Sequence, residues 1–241
     1  GNAIIHRAYH AIPPLTTKDG QLVNAVYGFT SMLLKVWKDL KPDHLAVTFD
    51  MAGPTFRHQQ FKEYKATRVK ADQALYDQIP LVHEVVRAFG LPVYEKKGYE
   101  ADDVIGTIVT KAKGKAEVFV VTGDMDTLQL VQEGVKIYTL RKGLSDIVIY
   151  DAAEVQKRYG FGPKQIIDFK GLAGDSSDNI PGVPGIGEKT ATNLIQEFGS
   201  VENLYKQLKN KKSDTQQKIK AGVLQKLIVG EESARMSLDL A

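Results

Sequence analysis

The chain has 241 residues, 43% hydrophobic and 25% charged, with 32 basic against 29 acidic side chains and a formal charge of +3. This suits a soluble globular protein with a sizeable core, and the mild basicity is only a weak pointer to an anionic partner. The absence of cysteine excludes disulfides and thiolate metal sites, no apolar run is long enough to span a bilayer, and a cytoplasmic protein with no membrane partner is expected.

In chain order, His6 and His10 come first, spaced i,i+4, but the Glu of a zinc-binding HExxH is missing, so a surface or capping role is expected. Residues 23–40 set Val26, Phe29, Leu33, Val36, Trp37 and Leu40 at helical spacing, which predicts a helix with Trp37 in its core stripe. A short buried strand is expected over 44–49. Residues 54–80 are polar, aromatic and basic. Helical patterns follow at 78–89 and 99–113, and a strand at 117–122. A strand pair over 135–140 and 146–150 turns at Gly143. Asp151 and Glu154 predict a capped helix at 152–159, and Pro163 suits the first turn of the next one. Strands alternating with helices predict an α/β fold on a mainly parallel sheet, with a helical second part.

The carboxylates gather at telling positions. Asp50 ends the strand HLAVTF, and Asp124 and Asp126 follow the strand EVFVVT; in open α/β sheets, sites form at the carboxyl ends of strands. Glu100, Asp102 and Asp103 fall in the first turn of the helix YEADDVIG, and Asp175 and Asp178 sit in GDSSDN. Taken singly, each has an ordinary structural explanation: a helix-dipole partner, a turn residue, an Asx turn or a cap. Taken together, ionised carboxylates sharing a cleft require cations. Hard oxygen donors without cysteine favour Mg2+ or Mn2+ over zinc. Two such ions about 4 Å apart serve in-line phosphoryl displacement.

GVPGIG, residues 182–187, followed by EKTATNLIQEF, fits a helix–hairpin–helix whose first helix spans roughly 163–173. Gly182, Gly185 and Gly187 would let backbone approach a phosphate, the helix N-terminus offers N–H groups, and Lys189 adds charge. Such a hairpin reads backbone without sequence preference. The alternative is a tight turn between helices. In RHQQFKEYKATRVK, Arg57 opens a basic run in which Tyr64, Lys65 and Arg68 fall within one helical turn, able to meet a phosphate and stack on a base; a solvated charged face is the alternative.

FRHQQFKEYKATR, GYEADDVIGT, VVTGDMDTLQLV and GDSSDNIPGVPGIGEKTA, in that order along essentially the whole chain, resemble the 5′-nuclease (5′→3′ exonuclease) domains of bacterial DNA polymerase I, relatives of the flap endonucleases. The resemblance implies a PIN-like α/β core over 1–160 with a helical arch at about 54–80, and a helix–hairpin–helix subdomain over 161–241. It implies a monomeric, metal-dependent 5′→3′ exonuclease and flap endonuclease acting on DNA with 5′ flaps, nicks or branches. It further implies a nucleoid-associated bacterial enzyme, the N-terminal part of a polymerase used in primer removal and repair. Asp50, Glu100, Asp102 and Asp103 match the family's first metal group. Asp126, Asp175 and Asp178 match the second, and Asp124 falls between them. Arg7, Tyr64, Lys65 and Arg68 match residues that handle the scissile phosphate and the 5′ strand. Gly182, Val183 and Ile186 match a potassium site built from backbone carbonyls. The family opens on a strand ending in Asp-Gly whose Asp is a metal ligand. Here Gly1 stands at that Gly, and the expectation is that the chain as written binds branched DNA and cuts it poorly. The family's proline-containing segment after the basic run is replaced by VKADQA. A non-cleaving branched-DNA binding module and a PIN-type ribonuclease are the competing readings.

Overall fold

The structure, a computed structural model, describes residues 1–142, 146–210 and 215–241. In chain order it runs α1 (Asn2–Ala11), α2 (Asn24–Leu40), β1 (Val47–Thr48), α3 (Phe56–Gln60), α4 (Gln73–Tyr76), α5 (Ile79–Ala88), β2 (Val93–Tyr94), α6 (Ala101–Ala112) and β3 (Val118–Val121). A 3-10 turn at Met125–Leu130 precedes β4 (Val135–Lys142) and β5 (Asp146–Tyr150). Helices complete the chain: α7 (Ala152–Tyr159), a 3-10 turn at Pro163–Gln165, α8 (Ile166–Ala173), α9 (Glu188–Phe198), α10 (Val201–Lys209), α11 (Thr215–Lys218), α12 (Ala221–Val229) and α13 (Glu231–Leu240). No helix among the described residues is long and apolar enough to cross a membrane.

Two compact units result. The first comprises Gly1–Phe56, Val69–Thr127 and Gly134–Tyr150; the second comprises Arg57–Arg68, Leu128–Glu133 and Asp151–Ala241. The boundary expected at residue 160 and these units differ in where 57–68, 128–133 and 151–160 fall.

In the first unit β1 pairs parallel with β2, β3 pairs parallel with β4, and β4 pairs antiparallel with β5. The strand pair expected over 135–150 is therefore a hairpin; its turn at Gly143 lies outside the described residues. Its core gathers Ile5 of α1, Ala25, Phe29 and Leu33 of α2, Phe49 after β1, and Val82 and Val86 of α5. Gly28 lets α1 lie close on α2, since a Cβ there would come within 2.6 Å of Ala8 Cβ. Trp37 departs from its expected place in the core. It is 41% exposed and meets Phe89 at the surface, ring centroids 6.3 Å apart. Residues 54–80, the expected helical arch, carry two short helices, α3 and α4, before α5 begins at Ile79.

In the second unit α7 begins where Asp151 accepts the Glu154 N–H at 2.9 Å, the cap expected from sequence. The α8–hairpin–α9 pattern forms as anticipated. Its chain path depends on glycine: a Cβ on Gly182, where φ is +61°, would come 2.7 Å from the Leu172 carbonyl oxygen. The 57–68 segment joins this unit through an apolar cluster in which Tyr64, Ile180 and Leu240 are buried with Phe61 and Met236 against them.

Candidate functional site

The first unit crowds acids together at strand ends and a helix start. Asp50, two residues past the end of β1, uses Oδ1 to accept the Ala101 N–H at 2.7 Å, which ties it to the first turn of α6. Glu100 is the N-cap of that helix and forms a capping box with Asp103, whose Oδ2 accepts the Glu100 N–H at 2.8 Å. The capping explanation of these two acids is thus realised. Asp102, between them, is different. Its pKa is pushed up to about 7, first by burial and then by the charges of Asp124, Asp50, Asp126 and Glu100.

Asp124 follows β3 and closes an Asx turn, its Oδ1 accepting the Asp126 N–H at 3.0 Å, while Thr127 Oγ1 donates to its carbonyl at 2.7 Å. This turn fixes both acids at the strand end. Together with Ala3, Arg7, Gly123 and Met125 they line a cleft of about 300 Å³, so Arg7 of α1 faces Asp124 and Asp126. The donor chemistry, carboxylate oxygens crowded until one of them resists ionisation, fits a hard divalent cation. Among the described residues, no three Asp, Glu or His side chains are already drawn together closely enough to hold an ion.

In the second unit the acids are neutralised. A loop over 175–180 is closed by reciprocal backbone bonds between Asp175 and Ile180, both 2.8 Å. Asp175 accepts Lys170 Nζ at 2.6 Å and the Ser177 N–H and hydroxyl at 2.8 and 2.7 Å. Burial alone would raise this carboxyl, but the Lys170 and Ser177 contacts outweigh it and hold the pKa down at about 2. Asp178 is 7% exposed. It accepts the Tyr64 hydroxyl at 3.0 Å, pairs with Lys65 at 3.6 Å, and takes a close ion pair from Arg68. Tyr64, Lys65 and Arg68 thus converge on the Asp178 carboxylate, and not from one helical turn. They occupy successive turns, with Lys65 at φ +57°. Arg57 serves the fold, its Nε donating to the Leu240 carbonyl at 2.9 Å.

The hairpin assigns its glycines different tasks. Gly185 and Gly187 are exposed, as is Lys189 in the first turn of α9. Gly182 is buried, and its backbone is spent internally: its N–H donates to Ser237 Oγ at 2.9 Å and its carbonyl accepts Ser233 Oγ at 2.6 Å. Close approach of a phosphate is left to Gly185 and Gly187. The Gly182 and Val183 carbonyls accept Ser233 and the Ile186 N–H, and the Lys226 ammonium already sits 2.9 Å from the Gly185 carbonyl. Sequence reasoning missed Lys170, Ser177, Lys226, Ser233 and Ser237.

Two family models match the chain, one described as 5′-3′ exonuclease, N-terminal resolvase-like domain, over residues 1–160, the other as 5′-3′ exonuclease, C-terminal SAM fold, over 161–241. The DNA polymerase I of Bacillus subtilis is 48% identical over 205 residues, covering 85% of this chain and 23% of the relative. That of Caldicellulosiruptor bescii is 43% identical over 244 residues, 100% of this chain and 28% of the relative. This chain therefore spans about a quarter of the length of these relatives. Among solved structures it is similar to the bacteriophage T5 D15 flap endonuclease in a pseudo-enzyme-product complex with DNA and metal ions. There the TM-score is 0.74 at 24% identity, with 89% of this chain and 79% of that one covered.

Proposed function

Since this chain belongs to the 5′-3′ exonuclease family, we propose that it hydrolyses DNA phosphodiester bonds at 5′ flaps, nicks and branches with the help of divalent metal, Mg2+ or Mn2+. The observation that carries the reading is Asp102, whose pKa is raised first by burial and then by the nearby charges of Asp124, Asp50, Asp126 and Glu100, an arrangement that a cation would relieve. Asp50, Asp102, Asp124 and Asp126 are the proposed ligands in the first unit, with Glu100 and Asp103 available on release of their cap. Asp175 and Asp178 are the proposed ligands in the second. Bound there, the ions would supply an activated water and charge stabilisation for in-line displacement at phosphorus.

The chain's own residues do the rest. Arg7, facing Asp124 and Asp126, orients a phosphate oxygen by charge-assisted hydrogen bonding. Lys65 and Arg68 of the second unit offer positive charge to a phosphate of the 5′ strand, and buried Tyr64 supports them through the Asp178 carboxylate all three share. Gly185, Gly187 and Lys189 hold duplex backbone without reading bases. The names of the relatives extend the proposal: the domain acts as the nuclease part of a DNA polymerase I, in primer removal and repair.

The test is single-turnover cleavage of a 5′-flap DNA, with an RNA strand and an unbranched duplex as controls, with and without Mg2+. Mg2+-dependent cutting at the flap junction is expected. Binding of branched DNA without cutting in either condition would favour the binding-module reading, and preference for the RNA strand would favour a ribonuclease.

A further inference from the structure

The short connection from β2 to α6 presents two large aromatic side chains to solvent beside the acids of the first unit. Tyr94 ends β2 and is 49% exposed; Tyr99 directly precedes Glu100, the N-cap of α6, and is 46% exposed. Between them stand Glu95, Lys96, Lys97 and Gly98, and the three charged residues are exposed. Glu95 interacts electrostatically with His83 of α5. The backbone is fixed at both ends. Phe49, the residue before Asp50, donates its N–H to the Tyr94 carbonyl at 3.2 Å. The Tyr99 N–H closes a turn onto the Lys96 carbonyl at 3.1 Å, with Gly98 at φ +82°, and the Gly98 carbonyl accepts the Phe56 N–H at 3.0 Å. The Phe56 ring braces Tyr99, centroids 5.6 Å apart at an interplanar angle of 48°. A single exposed tyrosine is ordinary surface. Two of them, flanking consecutive lysines on a turn tied to the strand end that holds Asp50, have the make-up of a surface for unpaired nucleic acid.

We infer that residues 94–99 form a platform for single-stranded DNA beside the acids of the first unit, with the Tyr99 ring stacking on an unpaired base and Lys96 and Lys97 meeting the neighbouring phosphates. Stacking needs a base whose face is open, which the interior of a duplex does not offer, so this chemistry selects the unpaired strand of a branched substrate. Every base has such a face, so the platform is tolerant of sequence. Phe56 and the turn set Tyr99 in place before a strand arrives, so little side-chain freedom is lost on binding. Sheet topology explains the location. β1 and β2 run parallel with Thr48 opposite Tyr94, so their carboxyl ends deliver Asp50 and the platform to one rim. Lys96 and Lys97 also offset the repulsion that Asp50, Glu100 and Asp102 impose on an approaching phosphate. The inference rests on the reading of the protein as a nuclease for branched DNA, and it deepens that reading by naming where the unpaired strand is held. Gly185, Gly187 and Lys189, proposed to hold duplex, belong to the second unit; the platform belongs to the first.

The experiment uses the full chain in buffer with EDTA, so that metal-dependent cutting plays no part in it. Affinities for a dye-labelled thymidine homopolymer and for a blunt duplex are read by fluorescence anisotropy. The same homopolymer carrying iododeoxyuridine is crosslinked by ultraviolet light, and the attached residue is located by mass spectrometry. Crosslinks are expected at Tyr99. Tyr99→Ala is expected to weaken single-strand binding about tenfold, the scale of one stacked base, and to leave duplex affinity unchanged. Tyr99→Phe keeps the ring and is expected to bind like the parent. Replacing Lys96 and Lys97 together by Ala is expected to weaken single-strand binding and to make the slope of log K against log salt shallower by about 1.4, about 0.7 for each lost charge. Parent affinity of Tyr99→Ala for the single strand, an equal loss on duplex, or crosslinks that avoid residues 94–99 would each overturn the platform. Tyr99→Ala also loses the Phe56 contact, so its melting is followed alongside. Where that variant does not fold, the exposed lysine pair decides, and parent affinity there overturns the platform. Flap cutting that fails in Mg2+ while the single strand is held at Tyr99 would instead overturn the nuclease reading alone.

Discussion

The acids of the two units stand in opposite electrostatic states. In the first unit, Asp102 is surrounded by other carboxylates and its pKa rises to about 7. In the second, Asp175 is held by Lys170 and Ser177 and its pKa falls to about 2. The residue type is the same and burial raises both; the fold adds like charge to Asp102 and a counter-ion and hydrogen bonds to Asp175. The first arrangement is costly without an added cation, and the protein tolerates that cost where the chemistry is proposed. The second satisfies itself with the chain's own cations.

The largest expected effect tests whether the first arrangement is there for catalysis. Asp124→Asn keeps an oxygen able to accept the Asp126 N–H, so the turn after β3 is retained. What is lost is a charged ligand. Single-turnover flap cleavage in Mg2+ should fall by roughly a thousandfold, the scale of a Lewis-acid contribution of about 4 kcal/mol. DNA affinity should hold or rise slightly, because repulsion of phosphate is reduced. Cleavage at the parent rate would remove the functional side of the comparison and leave Asp124 as a turn residue.

Next in size is an opposite response to acid. The folded pKa of Asp102 lies above its unfolded value of about 4, so in metal-free buffer this group destabilises the fold at pH 8 and is relieved as pH falls toward 4. Asp102→Asn should therefore stabilise the metal-free fold at pH 8 by about 4 kcal/mol, raising Tm on the order of 10 °C, and the gain should vanish near pH 4. The folded pKa of Asp175 lies below its unfolded value. Its contribution is fully present above about pH 4 and is lost as pH falls through about 2. Asp175→Asn should cost about 2 kcal/mol at pH 7 and nothing near pH 2. Thermal scans of both variants and the parent across pH 2–8 decide it. Tm shifts of the same sign in both variants at pH 7–8 would show that the two regions do not differ as described.

This contrast was only half legible in the sequence. Periodicity and capping signals gave α2, α5, α6 and α7 nearly to the residue, and the β-branched and aromatic run Val118–Val121 marked β3. The glycine hairpin was legible because Gly182 and Gly185 adopt positive φ. β2 is two residues long and defined only by its pairing with β1, so no local pattern marks it. Trp37 matched the apolar stripe of α2, but it falls at the surface beside Phe89, which spacing cannot foretell. The acids were visible as a set; which were crowded and which were paired was not. Lys170 reaches Asp175 across the turn at Gly174, and Arg68 and Asp178 are 110 positions apart, contacts set by tertiary packing. Lys65 in a left-handed turn carries no glycine or asparagine to announce it.

The smallest expected effect concerns the anion-holding side of the second unit. Lys189 is exposed in the first turn of α9, whose N-cap is Gly187, so its ammonium and the helix N-terminus can face one phosphate. Lys189→Ala removes one such contact and nothing from the core. Duplex affinity should drop about three- to tenfold at low salt, and the slope of log K against log salt should become shallower by about 0.9, the release of one counterion. The loss should be equal for duplexes of unrelated sequence, since a backbone contact carries no base information. The Asp124→Asn variant, measured beside it, should show the reverse pattern, intact binding with lost cleavage. A loss at Lys189 confined to particular sequences would mean that the hairpin reads bases. A loss of cleavage without loss of affinity would move Lys189 out of the duplex-holding surface and into the chemistry, and the division of labour between crowded acids and anion-holding hairpin would have to be redrawn.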